Sequence, residues 1–417
     1  MWASVSGTAG HVTVGAPMLD LDPIALARWQ LARDRQRTHR FPFTFARKVA
    51  RMRPSPLAFL RGASPLFYEI LAARPHLTDG PDGEGWLVGD LHIENFGAFM
   101  AEAAGGQPAA PVFDLNDFDD AMVGPFRLDV LRLGTSLLLA ARELGANGGQ
   151  ALEMVVELVN AWDAHVVRAR PMPATPRPVA ALIEQVRVRS RVDLLDARTR
   201  AVRGRRRFVR GPRYASLPPT VDRALPAAFA GYIAALPEAR RPAPEQLAIV
   251  DAAFRIAGTG SLGVLRAAVL TTGKGGADGG WIFDLKEQSV AAGLAFGRVP
   301  AGPGATRVAT AMRACLARPP RLLGTTRLVG LSMLGRRLLP QDDKLDLGRI
   351  AGADLPSLAR YLGALLGNAH RRGAADAGGR PPRRTATAAE RATLVDNAIR
   401  LAGIHESVYL AYCAQTG

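Results

Sequence analysis

Cysteine and lysine are scarce in this sequence of 417 residues, and long uninterrupted apolar runs are missing. The two cysteines, Cys315 and Cys413, exclude a zinc site built from cysteines and fit a reducing cytoplasm. No apolar run reaches the length of roughly 18 residues that a membrane-spanning helix needs. The first residues also lack the basic and apolar regions of a signal peptide, so we expect a cytoplasmic protein with no membrane partner.

Basic residues are in excess, with 53 Lys and Arg against 37 Asp and Glu, and the net charge is +16. Charge of this size suggests an anionic partner such as a nucleic acid, a phosphorylated metabolite or an acidic surface. The only lysines are Lys48, Lys274, Lys286 and Lys344. Almost all other basic residues are arginines, as a GC-rich coding sequence would favour. The arginine excess alone therefore says little about DNA, and each lysine becomes more informative.

Periodicity and turn residues divide the chain into helical and strand-rich parts. Helical spacing dominates the first half, whereas the region after residue 245 alternates strands with glycine-rich turns. We therefore expect an α+β fold, and the resemblance to kinase-like enzymes given below implies that it has two lobes, the larger one mostly helical. The expected parts are a flexible N-terminus (1–21), the helical large lobe (22–244), a small β-rich lobe (245–349) and a helical return to the large lobe (350–417).

Polar side chains follow two short apolar runs within residues 86–133. The first run leads to Asp90, His92 and Asn95, and the second leads to Asp117 and Asp119. Acidic residues beside apolar strands are costly to desolvate unless a positive group lies among them, and a divalent metal with a phosphate is the simplest candidate. A solvated loop containing an Asx-turn is the simpler alternative.

A glycine-rich turn follows an apolar run near residue 250. Gly258, Gly260 and Gly263 form the pattern G-x-G-x-x-G, with Ser261 inside it. The residues after the third glycine read as a strand and a hairpin, which favours a kinase-like flap over phosphates and disfavours a dinucleotide-binding turn. Lys286, in a neighbouring strand, would supply a compact ammonium group. A lysine at an exposed strand end is the alternative.

The first polar segment, G-D-L-H-I-E-N, resembles the G-D-x-H-x-x-N catalytic loop of aminoglycoside phosphotransferases and related small-molecule kinases. The second, N-D-F-D-D-A, resembles the acidic signature that follows in those enzymes. The resemblance implies that Asp90 is the catalytic base, with His92 beside it in a mainly structural role. It also implies that Asn95 and Asp117 are ligands of Mg²⁺, with Asp119 as a further candidate ligand.

The same resemblance extends to the glycine-rich block and to the start of the helix after the acidic loop. There Asp129 would brace the catalytic loop. The resemblance implies that the phosphates of ATP are bound by Gly258, Gly260, Ser261, Gly263 and Lys286.

Most of residues 45–415 also resembles a bacterial family known as domain of unknown function 2252. The shared segments include S-P-L-A-F-L-R-G-A, G-D-L-H-I-E-N-F-G and G-T-G-S-L-G. This resemblance implies a kinase-like fold and names no substrate. Kinase-like enzymes place the glycine loop before the catalytic loop, so the reversed order here predicts a circular permutation. No acidic residue between Gln288 and Pro340 is available to pair with Lys286 as the helix-C glutamate of kinases does.

Taken together, these features predict Mg²⁺-dependent phosphoryl transfer from ATP to a small or anionic acceptor. A nucleotide-binding pseudokinase and an enzyme that transfers AMP are the alternatives that keep the same site. A metallophosphoesterase is disfavoured because the spacing within G-N-A-H is wrong. The arginine-rich residues 187–213 leave nucleic-acid binding open, and a mobile solvated loop explains that stretch equally well.

Overall fold

The structure is a computed structural model that describes residues 21–103, 109–276 and 278–417. The expected flexible segment 1–21 lies outside the described residues except for Leu21. The helices are α1 (Pro23–Thr38), α2 (Phe45–Met52), α3 (Pro56–Gly62), α4 (Ser64–Ala73), α5 (Arg127–Ala140), α6 (Gly148–Val167), α7 (Arg177–Arg187), α8 (Arg191–Asp196), α9 (Pro219–Ala234), α10 (Gly304–Cys315), α11 (Leu355–Asp376) and α12 (Ala388–Thr416). The strands are β1 (Glu84–Leu87), β2 (Phe96–Met100), β3 (Pro111–Leu115), β4 (Met122–Pro125), β5 (Thr199–Val202), β6 (Arg205–Phe208), β7 (Tyr214–Ala215), β8 (Ile249–Arg255), β9 (Arg266–Thr271), β10 (Trp281–Glu287), β11 (Gly324–Leu328), β12 (Leu331–Leu338) and β13 (Asp343–Lys344).

The largest sheet is antiparallel, with the strand order β11-β12-β10-β9-β8-β7. Its central strands β9 and β10 are buried along nearly their whole length. Apolar side chains cover both faces: Phe229 and Tyr232 of α9 pack on one face, and Leu195 and Phe208 pack on the other. This double cover explains why β9 and β10 are apolar at successive positions instead of alternating.

The large hydrophobic core lies among the helices on the other side of the molecule. Helix α5 packs against α6 and α12 and is buried along most of its length. Because it is surrounded by other elements, its polar residues must find partners inside the protein. Two of them, Asp129 and Arg132, contact the turn that follows β1.

Residues 191–236 pack on the large sheet, although the sequence assigned 22–244 to the helical lobe. Strand β7 pairs with β8, and α9 covers one sheet face. The lobe that contains the large sheet therefore includes residues 191–236, which precede the long strands β8–β10 in the sequence. Helix periodicity alone does not say which surface a helix covers, so this docking was not visible in the sequence.

The arginine-rich stretch 187–213 contains α8 and the hairpin β5-β6. Several of its guanidinium groups form ion pairs within the protein. Arg206 pairs with Asp196 and Asp278, while Arg189 pairs with Asp343. This stretch is therefore a short helix and a hairpin, and not an irregular loop.

The first and last described helices pack against each other. The side-chain amide of Gln415 donates a hydrogen bond of 3.2 Å to the carbonyl of Ile24. Within the described ranges, none of the helices combines the length and apolar character that crossing a membrane would need.

Candidate functional site

A cleft of about 500 Å³ brings the two polar blocks of the sequence together. Its lining comes from the turn after β1, the loop between β3 and β4, the glycine-rich turn between β8 and β9, and one side of α1. The predicted site residues that line it are Asp90, His92, Asn95, Asp117, Asp119, Gly258, Gly260 and Ser261. Lys286 and Gly263 lie outside this lining. The ammonium group of Lys286 on β10 contacts the carboxylates of Asp117 and Asp119, and Gly263 packs against the end of α1.

The turn after β1 is held in place by Asp129 at the start of α5. The buried carboxylate of Asp129 accepts hydrogen bonds from the backbone N–H groups of Val88 (2.7 Å) and Gly89 (2.9 Å). His370 of α11 lies 3.1 Å from the same carboxylate. Trp162 donates its indole N–H to Nδ1 of His370, so the proton of the neutral imidazole is on Nε2, facing Asp129. Asp129 therefore braces the turn after β1 as expected.

Asp90 lies at the end of this turn and is bound by a fully buried arginine. Nε of Arg132 donates a hydrogen bond of 2.8 Å to Oδ1 of Asp90, and the two side chains form an ion pair. Burial raises the pKa of Asp90 to about 7, although Arg132 opposes the shift; Asp120 adds to it. A carboxylate with a pKa near neutrality is suited to proton transfer.

His92 and Asn95 lie on the same wall of the cleft. The side-chain NH₂ of Asn95 donates a 2.8 Å hydrogen bond to the carbonyl oxygen of Asp90. The side-chain oxygen of Asn95 takes no part in this bond. His92 is buried, and burial together with the nearby Arg61 lowers its pKa well below the usual value. His92 is therefore a neutral imidazole, which agrees with a structural role and argues against its action as a general acid.

Asp117 and Asp119 share the ammonium group of Lys286. Nζ of Lys286 lies 3.7 Å from Oδ2 of Asp117 and forms a closer ion pair with Asp119. Desolvation by the surrounding protein would raise the pKa of Asp117, but Lys286, a hydrogen bond with Asp119 and the more distant Lys344 and Arg266 together outweigh it, and the pKa falls to about 2. Desolvation and the charge of Asp117 raise the pKa of Asp119. The side chain of Asp117 is 47% exposed, so its ionised carboxylate is accessible from the cleft.

The glycine-rich turn comes close to α3 and to the turn after β1 because it has no side chains at its contact points. A Cβ placed on Gly260 would lie 3.3 Å from the carbonyl oxygen of Arg61 and 3.8 Å from Oδ2 of Asp90. Gly258 and Gly263 have φ angles of +72° and +97°, which disfavour other residues. A Cβ on Gly263 would also lie 2.4 Å from the carbonyl oxygen of Arg37 at the end of α1.

Two arginines that the sequence did not single out hold the site together. Arg132 anchors Asp90, and Arg307 of α10 anchors the acidic loop by donating to the carbonyls of Asp119 (2.8 Å), Ala121 and Ser289 (2.8 Å). Helix α10 therefore contributes a cation to the backbone of the acidic loop, and Lys286 has its carboxylate partners in that loop.

Two of the four lysines of the sequence line the cleft. Lys48 of α2 is buried and lies 3.3 Å from Asp34 of α1, and it donates to the carbonyl of Gly62. Lys344 of β13 lies 3.6 Å from Glu94. The scarcity of lysine was the signal that could have identified both of them.

The cleft offers oxygen ligands that suit Mg²⁺. Among the described residues, no group of three or more His, Cys, Asp or Glu side chains is placed to hold a metal ion by itself. Mg²⁺ commonly binds through one or two carboxylates together with substrate phosphates and water. The exposed and ionised carboxylate of Asp117, with the amide oxygen of Asn95 on the same cleft, matches that requirement.

The fold and the cleft define a mixed α and β protein in which a glycine-rich turn, a lysine and a carboxylate loop meet. The chain belongs to the family described as "Uncharacterized protein conserved in bacteria (DUF2252)", whose model matches residues 40–415. No curated protein and no solved structure matches the chain.

Proposed function

We propose that this protein is a phosphotransferase that uses Mg²⁺ and ATP and has a kinase-like, circularly permuted fold. The observation that carries the proposal is the contact of Lys286 with Asp117 and Asp119. These residues belong to separate sequence blocks, and each has the chemistry that one part of a bound Mg·ATP requires. The acceptor would be a small or anionic cytoplasmic molecule.

The order of elements in the sheet-bearing lobe supports the proposal. The glycine-rich turn joins β8 to β9, the lysine is on the next strand β10, and helix α10 follows before β11 and β12. Protein kinases place the glycine-rich loop, the lysine on the third strand and the following helix in this same succession. The catalytic turn and acidic loop, which follow these elements in kinases, precede them here.

In this proposal each residue has one task. Oδ2 of Asp90 faces Gly260 and would accept the proton of the acceptor hydroxyl, while Arg132 keeps the other carboxylate oxygen in place. Asp117 and Asn95 would hold Mg²⁺, with Asp119 close by, and the ion would neutralise charge on the phosphates. Lys286 would exchange part of its contact with Asp119 for a phosphate oxygen.

The glycine-rich turn would cover the phosphates. Gly258, Gly260 and Gly263 permit the close backbone approach described above, and Ser261 adds a hydroxyl to the lining. Backbone N–H groups of such turns bind phosphate oxygens. Without side chains the turn can come close enough to the phosphates to leave no room for water between them.

One feature favours a second outcome at the same site, either AMP transfer or nucleotide binding without turnover. Lys286 has a partner in the acidic loop and none on α10, whose buried Arg307 faces the loop backbone instead. The lysine is therefore coupled to the metal-binding side of the cleft. A different seating of the triphosphate would then bring a different phosphorus atom to the acceptor.

The test is thermal unfolding with and without Mg·ATP, followed by mass analysis of the protein and of candidate acceptors. Wild type and Lys274→Ala, an exposed lysine outside the cleft, should show the same rise in Tm. Asp117→Ala and Lys286→Ala should show little or none. A mass increase of a phosphoryl group supports the main proposal, that of an AMP group supports the alternative, and equal Tm shifts in all four proteins would refute nucleotide binding in this cleft.

A further inference from the structure

A second cavity, of about 810 Å³, lies on the other side of the glycine-rich turn. It is bounded by α2 and α3 on one side and by the sheet-bearing lobe on the other. Five arginines and a single glutamate are the charged residues of its lining: Arg51, Arg61, Arg198, Arg213, Arg255 and Glu143. We refer to this space as the arginine cavity.

The positive charge of the arginine cavity is only partly balanced by the protein. Arg255 pairs with Asp284, and Arg61 pairs with Glu94. Arg51 and Arg198 donate to neutral oxygens, the carbonyl of Gly258 and the hydroxyl of Tyr214. The carboxylate of Glu143 accepts from the hydroxyl of Ser55.

Crowding of like charges marks the cavity further. Burial, together with Arg47 and Arg61, lowers the pKa of Arg51, and burial and Arg266 lower the pKa of Arg255 to about 10. A bound anion would relieve the repulsion among these guanidinium groups.

The arginine cavity adjoins the catalytic cleft at the glycine-rich turn. Arg61, Gly258 and Thr259 line both spaces. Gly260, the next residue, approaches both the backbone of Arg61 and the carboxylate of Asp90, as described above. A ligand that fills the arginine cavity therefore ends beside the residues that would act on an acceptor.

We propose that the arginine cavity binds the anionic part of the acceptor, a small molecule that carries two or more phosphate groups. This proposal rests on the phosphotransferase function proposed above. Guanidinium groups bind phosphates through paired hydrogen bonds, and the arginines come from both lobes, so one ligand would bridge them. The cavity lies between helices on one side and strands on the other, and its volume of about 810 Å³ is in the range of small-molecule sites.

The test is calorimetric titration of the full chain with inorganic tripolyphosphate. The background carries Lys286→Met, which removes the lysine proposed to bind the phosphates of ATP and leaves the other cations of both spaces unchanged in all variants. In this background, Arg198→Gln/Arg213→Gln should weaken binding by about tenfold or more for each residue. Arg200→Gln/Arg205→Gln, which removes the same charge from the exposed hairpin β5-β6, should leave the affinity unchanged.

Arg213 is exposed, so Arg213→Glu provides a variant whose folding is not at risk, and it should also weaken binding. Unchanged affinity in the Arg198/Arg213 variants, or an equal loss in the hairpin control, would overturn the arginine-cavity proposal. These outcomes are independent of the Mg·ATP experiment. Failure of Mg·ATP to stabilise the wild type would refute the phosphotransferase function while tripolyphosphate binding still reports on the cavity.

Discussion

Nζ of Lys286 lies 3.7 Å from Oδ2 of Asp117, so a strand of the late β-rich block and a loop of the early acidic block meet in one charged cluster. Asp119 completes the cluster by pairing with the same ammonium group. Two carboxylates that share one lysine titrate as a unit, and loss of the lysine leaves them facing each other.

The first prediction concerns the stability of this cluster. Lys286→Met should lower the free energy of unfolding at pH 7 by about 1 kcal/mol, a modest value because Asp117 is partly exposed to solvent. The depressed pKa of Asp117 stabilises the fold above the unfolded value of about 4, and this contribution disappears as the pH falls towards 2. Urea unfolding at about pH 7 and pH 3.5 checks the expectation. Lys274→Met is the matched control. If the destabilisation caused by Lys286→Met were as large at the lower pH as at the higher, the prediction would be contradicted.

The second prediction concerns the pH dependence that Asp90 confers. Its folded-state pKa of about 7 is raised above the unfolded value, so the folded protein keeps a proton that the unfolded chain has released. The stability contributed by Asp90 is therefore complete below about pH 4 and is lost as the pH rises to about 7. Urea unfolding across this range should show a steeper decline for wild type than for Asp90→Asn. Parallel curves would show that Asp90 ionises normally.

Turnover should follow the opposite trend, because the base must be ionised to accept a proton. The rate should rise through about pH 7 in the wild type. Since Arg132 opposes the upward shift of the Asp90 pKa, Arg132→Met should move the rate profile to higher pH, and Arg132→Lys should move it less. A profile that stays in place in Arg132→Met would argue against Asp90 as the base.

The third prediction concerns the brace at the start of α5. Asp129→Asn should lower the free energy of unfolding by about 2–3 kcal/mol, because the buried carboxylate accepts two backbone N–H groups and contacts His370. Asp396→Asn, an exposed change on α12, should have almost no effect. Chemical denaturation of the three proteins is the measurement. Equal stability of Asp129→Asn and wild type would mean that the turn after β1 does not depend on this carboxylate.

The fourth prediction separates two glycines of the same turn. Gly263→Ala should destabilise the fold by roughly 2 kcal/mol or more, because its φ is positive and the new Cβ would clash with the backbone of α1. Gly260 has no positive φ, and its new Cβ would lie at a milder 3.3 Å from the carbonyl oxygen of Arg61. Gly260→Ala should therefore destabilise the fold less than Gly263→Ala, while it narrows the approach to Asp90 and reduces the Mg·ATP-induced rise in Tm. Gly403→Ala on α12, where a Cβ meets open space, should be stabilising by up to about 1 kcal/mol. Identical behaviour of the first two variants would show that the turn acts as one structural unit.

The residues that could be predicted from the sequence are those whose spacing is set by local chemistry. Asp90, Asn95 and Asp117 follow apolar runs at turns, and the three-glycine pattern stands between strands. Lys286 was conspicuous because lysine is rare in this chain. That these residues lie close together could be seen only in the folded structure, because no local sequence pattern predicts that β10 lies beside the loop after β3.

The residues that could not be predicted act through contacts between distant elements. Arg132 and Arg307 are two arginines in a chain full of them, and only burial against carbonyls and a carboxylate distinguishes them. The docking of α9 on the sheet was hidden for a similar reason, because an amphipathic helix does not specify its partner. The arginine cavity likewise combines residues from α2, α3 and the strands, which no linear segment contains.

The contact between Gln415 and Ile24 has a practical consequence for the gene. Since the two described ends of the chain meet, residue 417 could be joined to residue 21 by a short linker and a new start opened at residue 245. In this circularly permuted protein the glycine-rich strands would precede the acidic loop. A Tm equal to that of the wild type would show that the fold does not depend on the position of the chain termini.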